Sequence, residues 1–448
     1  MNRRSSLISL ITAGAFLASV AAVSPALGAD DRAGADHAPG PKERNAHWVA
    51  AWTSMPQLTE PSNMPPAPFT GDDSVLTDTT LRQTVHVSVG GDHIRLRFSN
   101  AFGGAALPLT KVSVALPLDG RAGTGAIREG TTRRVTFGGS ASVTVPAGAQ
   151  AVSDPLDFPL APGSNLTATV YLADGQASTS ITSHPGSRTT SYLRSGDHLQ
   201  DADLPGAATA DHWYFLSGVE AWSRSTTSAT AVLGDSLTDG RGSTTNGNDR
   251  WPDVLQQRLA AGLGTAGTSV VNQAAGGNRL LNDGLGPNGL ARLDRDVLSQ
   301  SGVDRLIVFE GINDIGTAPA TPAAQKQTAQ DVIGAYDQII TRAHALGIRV
   351  YGATLTPFGG NTGYDDPDGF REGARQTVNT WIRTSGRFDG VIDFDRTARD
   401  PQNPRALRAS VDVGDHLHLN PAGYRDLADA VPARLFRQSP LPAGFGYN

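Results

Sequence analysis

Ala231-Val232-Leu233-Gly234-Asp235-Ser236-Leu237-Thr238-Asp239-Gly240 joins an apolar run to a polar turn. The run, Ala229 to Leu233, has the length and composition of a buried parallel strand, and it stops at Gly-Asp-Ser before a helix. A serine in that place sits at the carboxyl end of a strand, where open α/β sheets form their ligand crevices. Ser236 is therefore a candidate nucleophile. A serine hydroxyl is weak until a base takes its proton, so a histidine held by a third group is needed. Asp415-His416-Leu417-His418-Leu419-Asn420-Pro421 supplies one near the end of the chain.

Two further segments lie between these ends. Asn272-Gln273-Ala274-Ala275-Gly276-Gly277-Asn278-Arg279 follows the apolar run Ser269 to Val271, and Gly311-Ile312-Asn313-Asp314 follows Leu306 to Phe309. Each puts a backbone N–H or a side-chain amide just past a strand. Donors there can face the negative oxygen that develops when a serine attacks an ester carbonyl.

In these four blocks, in this order, the chain resembles the SGNH/GDSL hydrolase superfamily: Gly234-Asp235-Ser236-Leu237, the glycine block ending at Gly277, Gly311-x-Asn313-Asp314, and Asp415-x-x-His418. The resemblance implies a flavodoxin-like α/β/α fold with strand order 2-1-3-4-5. It implies Ser236 as nucleophile, His418 as base, Asp415 as its orienter, and Gly277, Asn313 and the Ser236 N–H as oxyanion donors. Where many members have a serine before the last glycine, this chain has Gly276, which leaves Gly276 a rival to Gly277. Asp314 is expected to brace the loop. Arg279 is read as either cleft or surface.

At 448 residues the chain is long enough for two domains, since a single core rarely grows beyond ~250 to 300 residues. Residues 1–28 carry Arg3 and Arg4, an apolar run from Leu7 to Val23, and Ala26-Leu27-Gly28, the pattern of a signal peptide. The mature protein is thus expected to be secreted and extracellular, with no stable membrane anchor. Losing two arginines and no acid takes the formal charge from -6 to -8. Such a surface argues against nucleic acid as a partner. With no cysteine there are no disulfides, thiol catalysis or cysteine-held metals. His416-x-His418 has the spacing of two metal ligands, but no other cluster with ligand spacing accompanies it. No cofactor or metal is expected, and oligomeric state is not readable.

Residues 29–45 read as a disordered leader and 439–448 as a tail. From 46 to 225, short strands between Gly, Pro and Asp turns suggest a β-sandwich-like domain of roughly 170 residues. Within it, Thr84–Val89 and Ile94–Phe98 flank Gly90-Gly91-Asp92 and read as a hairpin. Other expected strands include Ser178–Thr182 and Trp213–Ala221. From 226 to 438, strands at Ala229–Leu233, Ser269–Val271, Leu306–Phe309, Val350–Leu355 and Val391–Phe394 alternate with helices. The helices read from the pattern are Trp251–Leu259, Leu290–Ser299, Ala323–Leu346, Phe370–Thr384 and Pro421–Phe436. The junction near Trp222–Thr227 is expected to be open to proteases.

The function so implied is a serine esterase, a carboxylic ester hydrolase acting on short acyl groups of carbohydrate or aryl esters. The β-rich front followed by the four blocks looks like secreted acylhydrolases and arylesterases of xylan-degrading clusters. A lipid esterase is the alternative, and from another class, an inactive carbohydrate-binding or adhesion protein on the same scaffold. The rim segments Arg241–Arg250, Asn282–Asn288 and Gly359–Gly369 are polar or glycine-rich, and Leu280 and Leu281 are the apolar candidates for a small acyl pocket.

Overall fold

The computed structural model describes residues 45–437. The expected signal peptide (1–28), the expected leader (29–45) except Asn45, and the expected tail (439–448) lie outside the described residues. Residues 45–437 make one compact unit.

Five parallel strands carry the candidate site: β1 Ser228–Gly234, β2 Thr268–Ala274, β3 Val303–Phe309, β4 Arg349–Ala353 and β5 Gly390–Ile392. Their order is β2-β1-β3-β4-β5, as the resemblance implied. Ala229, Ala231, Val232 and Leu233 of β1 are wholly buried, which explains why its sequence is a continuous apolar run rather than an alternating one. Helices Trp251–Ala260, Pro322–Ala345, Phe370–Thr384 and Pro421–Ala430 are the main ones. Thr321 and Asn420 cap two of them, each accepting from a backbone N–H three residues on.

Three expected elements differ. Pro421–Phe436 is not one helix: it ends at Ala430 and resumes as a short turn, Ala433–Phe436. Pro432 has no N–H to continue the ladder and holds Val431 extended. Leu290–Ser299 is a helix over Gly289–Leu293 that loosens into a π-helical turn over Asp294–Leu298. The fifth strand stops at Ile392, because Asp393 caps a helix that begins at Phe394.

The region before β1 consists of antiparallel sheets. One orders Ala46–Thr53, Leu216–Arg224, Gly91–Ser99 and Leu156–Leu160; the other is centred on Thr79–His86 and Asn165–Leu172. The expected hairpin is absent, since Thr79–His86 and Gly91–Ser99 belong to different sheets. Between them the chain changes partners: the Val87 N–H reaches Ser164 O and the Ser88 N–H reaches Ala51 O, at 2.9 and 2.8 Å. Thr182–His184 replaces the strand expected at Ser178–Thr182, and a left-handed Phe215 (φ 62) divides Trp213–Ala221 in two.

The two regions share hydrogen bonds at their junction. Ser269 Oγ donates to Ala50 O (2.6 Å), the Ala50 N–H to Ser301 O (2.8 Å), and Ser88 Oγ to Val270 O (2.6 Å). Nor is the segment near Trp222–Thr227 an open linker. Only Ser225, Thr226 and Thr227 separate the strand ending at Arg224 from β1, and the Ser225 N–H donates to Asn45 O. His47 Nε2 donates to Thr227 O, and Trp222 packs edge-on against Trp48.

Candidate active site

β1 delivers Ser236 to the first position of a short helix, Ser236–Asp239, where the Asp235 side chain accepts from the Leu237 N–H at 2.9 Å. Ser236 and His418 are each only 7 % exposed. Ser236 Oγ lies 2.8 Å from His418 Nε2, and His418 Nδ1 lies 2.6 Å from Asp415 Oδ2. Since a carboxylate only accepts, Nδ1 carries the proton and Nε2 turns its lone pair to the serine hydroxyl. The other Asp415 oxygen takes the backbone N–H groups of Leu417 and His418, so the three-residue spacing closes a tight loop.

Burial lowers the His418 imidazole below its ordinary value; Asp415 opposes this, and Arg241 and Arg188 add to it. For Asp415, burial alone would raise the carboxyl, but hydrogen bonds from the His418 N–H and ring hold it below the usual range. His418 thus stands neutral beside an ionised partner at neutral pH. His416 points elsewhere, to Asp412 Oδ2 at 2.8 Å, and among the described residues no group of three or more candidate metal ligands occurs.

The glycine block follows β2. The Gly276 N–H is already held by Asp239 Oδ2 at 3.1 Å, whereas the Gly277 N–H has no hydrogen bond among the described residues. Gly277 is left-handed (φ 71), and a Cβ there would come within 2.6 Å of the Leu285 side chain, so a glycine is required. Asn313 opens the helix Ile312–Thr317 after β3. Its Oδ1 accepts from Tyr364 OH at 2.5 Å and its Nδ2 donates to Asn278 O at 2.7 Å. An amide nitrogen has two hydrogens, so one remains for the cleft. Asp314 braces the loop through the N–H groups of Leu280 (2.9 Å) and Leu281 (3.0 Å), and burial pushes its carboxyl up to about 6.

Ser236, Gly276, Gly277, Asn313 and His418 line one cleft of about 540 Å³. Arg241, Leu285 and Tyr364 join them from the three expected rim segments. Leu280 and Leu281 do not: Leu280 is wholly buried in the core and Leu281 packs against it. Arg279 also stays out of the cleft and braces its own loop through Asp283 O. Missed from the sequence is the whole opposite wall, where Gln57, Glu60, Asn63, Arg188 and His212 come from the β region. No periodicity or motif marks these positions. The rim segment Gly359–Gly369 includes Tyr364, but its bond to Asn313 has no sequence signature.

A buried pair ties that wall to the helix that begins at Ser236. His184 Nε2 lies 2.9 Å from Asp239 Oδ1, and His184 Nδ1 lies 3.0 Å from Met55 O. Burial would raise the Asp239 carboxyl, but His184, then Arg188 and Arg250, hold it low.

Residues 232–425 match the sequence model of the GDSL-like Lipase/Acylhydrolase family. None of the curated proteins matches. Among solved structures, the acetyl xylan esterase AlAXEase is 20% identical, with 45% of this chain and 96% of that one covered and a TM-score of 0.34. A catalytic mutant of an acetylxylan esterase from Geobacillus stearothermophilus is 20% identical over 45% and 91%, with a TM-score of 0.35. A GDSL-like lipase from Bacteroides thetaiotaomicron is 14% identical over 45% and 85%, with a TM-score of 0.33. Residues 232–425 carry the GDSL-like lipase/acylhydrolase domain, which supports carboxylic ester hydrolase activity.

Proposed function

We propose that the protein is an exported serine esterase that removes short acyl groups from carbohydrate or aryl esters. Ser236 Oγ attacks the ester carbonyl carbon while His418 Nε2 takes its proton, and Asp415 stabilises the imidazolium without itself being protonated. The carbonyl oxygen becomes an oxyanion between the N–H groups of Ser236 and Gly277 and the free Asn313 Nδ2–H. Collapse breaks the bond to the alcohol oxygen, which receives the proton from His418 Nε2. Water then attacks the acyl-serine, gives a proton to His418, and releases the acid with Ser236 restored.

The observation that carries this reading is the continuous bond chain Ser236–His418–Asp415 opening into a polar cleft. Short acyl groups are favoured because Leu285 is the main apolar side chain beside Gly277. Long chains need a broad apolar surface. Export rests on the pattern of residues 1–28.

Comparing kcat/KM for p-nitrophenyl acetate, butyrate and palmitate tests the reading. Acetate or butyrate should be preferred, without a rate jump at the micellar threshold, and Ser236→Ala should abolish turnover. If palmitate is the best substrate, or activity appears only with micelles, the lipid esterase reading replaces this one.

A further inference from the structure

The carboxylates around the cleft already have partners. Glu60 accepts from Gln57 Nε2 (2.5 Å) and Asn63 Nδ2 (2.9 Å), one on each oxygen. Asp239 uses one oxygen on His184 and the other on Gly276, and Asp415 holds His418. Two cations of the same cleft lack such contacts, although the Arg188 charge acts on Asp239 at longer range and Arg241 is exposed. Arg188 and Arg241 both line it, yet among the described residues neither side chain makes a hydrogen bond or has a carboxylate within ion-pair distance. Nearby Arg250, by comparison, is paired with Asp253 at 2.8 Å.

Arg188 is also held in place at a cost. Its Nε is buried without a partner, and a buried donor left unmade is unfavourable. Its backbone is left-handed (φ 51), a conformation L-residues adopt rarely. The surrounding loop imposes this conformation. Arg188 O accepts from the Asn246 N–H at 2.8 Å, and Gly186 lies so close to Asp239 that a Cβ would come within 1.7 Å of Oδ2. Backbone strain and an unmet donor persist where the surroundings over-determine them, which is the condition of a preorganised ligand contact. Arg241 comes just after Gly240, which ends the helix that begins at Ser236, and its N–H is on Ser236 O at 3.0 Å.

Both charges bear on His418, the group that must reach the leaving oxygen. Two of the oxyanion donors, Gly277 and Asn313, come from other loops, those after β2 and β3, while the Ser236 N–H belongs to the turn that leads to Arg241. Sharing the cleft with His418, which gives its proton to the leaving alcohol, the two cations are within reach of the alcohol part of the ester.

Resting on the esterase reading of this cleft, we propose that the alcohol part of the natural substrate carries an anionic group, a carboxylate or a phosphate, which Arg188 and Arg241 bind. The ester is then a short acyl group on an acidic alcohol, such as an acidic sugar.

The test uses the full chain and three acetate esters: para-acetoxybenzoate, its neutral methyl ester, and para-acetoxyphenyl phosphate. Each kcat/KM is normalised to that ester's own hydroxide hydrolysis. The wild type should favour an anionic ester over the neutral one by about tenfold or more. That ratio should fall toward one in Arg188→Gln and Arg241→Gln, be partly kept in Arg188→Lys, and shrink as salt is raised on the unaltered protein. Which anionic ester is faster tells carboxylate from phosphate. A wild-type ratio near one, or a ratio unmoved by both glutamine variants and by salt, overturns the inference and leaves the esterase reading standing. Hydrolysis of none of the three esters above the Ser236→Ala background overturns both.

Discussion

Asn313 is clamped on both ends of its amide, by the Tyr364 hydroxyl and by Asn278 O, so its remaining N–H has a fixed direction. Burial pushes the Tyr364 phenol up to about 12, which keeps it a donor at any working pH. In the proposed mechanism Asn313→Ala removes one of three oxyanion donors, and it should lower kcat by on the order of 10² to 10³. Tyr364→Phe leaves the donor present but loosely aimed, and should lower kcat by roughly tenfold with KM little changed. Steady-state kinetics on p-nitrophenyl acetate separates the two; a Tyr364→Phe variant that raises KM alone would mean the tyrosine binds substrate rather than positions Asn313. In the proposed mechanism His418 sets the pH profile, since as a base it works only when neutral. Because its pKa is lowered in the folded protein, chiefly by burial, the acid limb of kcat/KM should have its midpoint below the ordinary histidine value of about 6.5. A midpoint above 7 would contradict the burial and the two arginines alike.

At the end of β1, Asp235 caps the nucleophile's helix from a fully buried position, and its carboxyl is pushed up to about 7, first by burial and then by the Asp314 and Asp239 charges. An unfolded aspartate ionises near 3.9, so as pH rises the unfolded chain loses this proton first. The stability tied to protonated Asp235 is complete below about pH 4 and drains away until pH passes about 7. Asp235→Asn keeps the cap without the charge, so its Tm relative to the wild type should climb between pH 4 and 7. Calorimetry at pH 5 and 8 checks this; an advantage that shrinks with pH would reverse the assignment. These strand ends were readable because wholly buried parallel strands leave short apolar runs, each followed by its polar block, and all four blocks converge in space. The hairpin was not readable. Gly90-Gly91-Asp92 has hairpin chemistry, yet Gly90 packs so tightly against Leu160 that a Cβ would come within 1.9 Å of its carbonyl oxygen; tertiary packing chose the partners. Arg188 was invisible for the same reason, since nothing in its neighbours announces a cleft formed with residues some 50 and 230 positions away.

On the scale of the molecule, the β region forms one wall of the cleft and its first strand, Ala46–Thr53, bonds to residues beside β2 and β3. Limited proteolysis should therefore leave Ser225–Thr227 intact. A fragment beginning at residue 226 should fail to fold stably, because it uncovers the buried face of β2 and loses the bonds of Ala50, Thr53 and Ser88. A soluble, fully active fragment from 226 onward would show that the β region is dispensable to both fold and cleft.

The central claim is that Ser236 is a nucleophile activated by His418. Treating the full chain with a serine-directed fluorophosphonate and mapping the adduct by mass spectrometry tests it most directly. One adduct per chain, located on Ser236, formed with loss of esterase activity and nearly absent in His418→Ala, is the predicted result. An adduct on another residue, or full esterase activity retained with Ser236 modified, would contradict it.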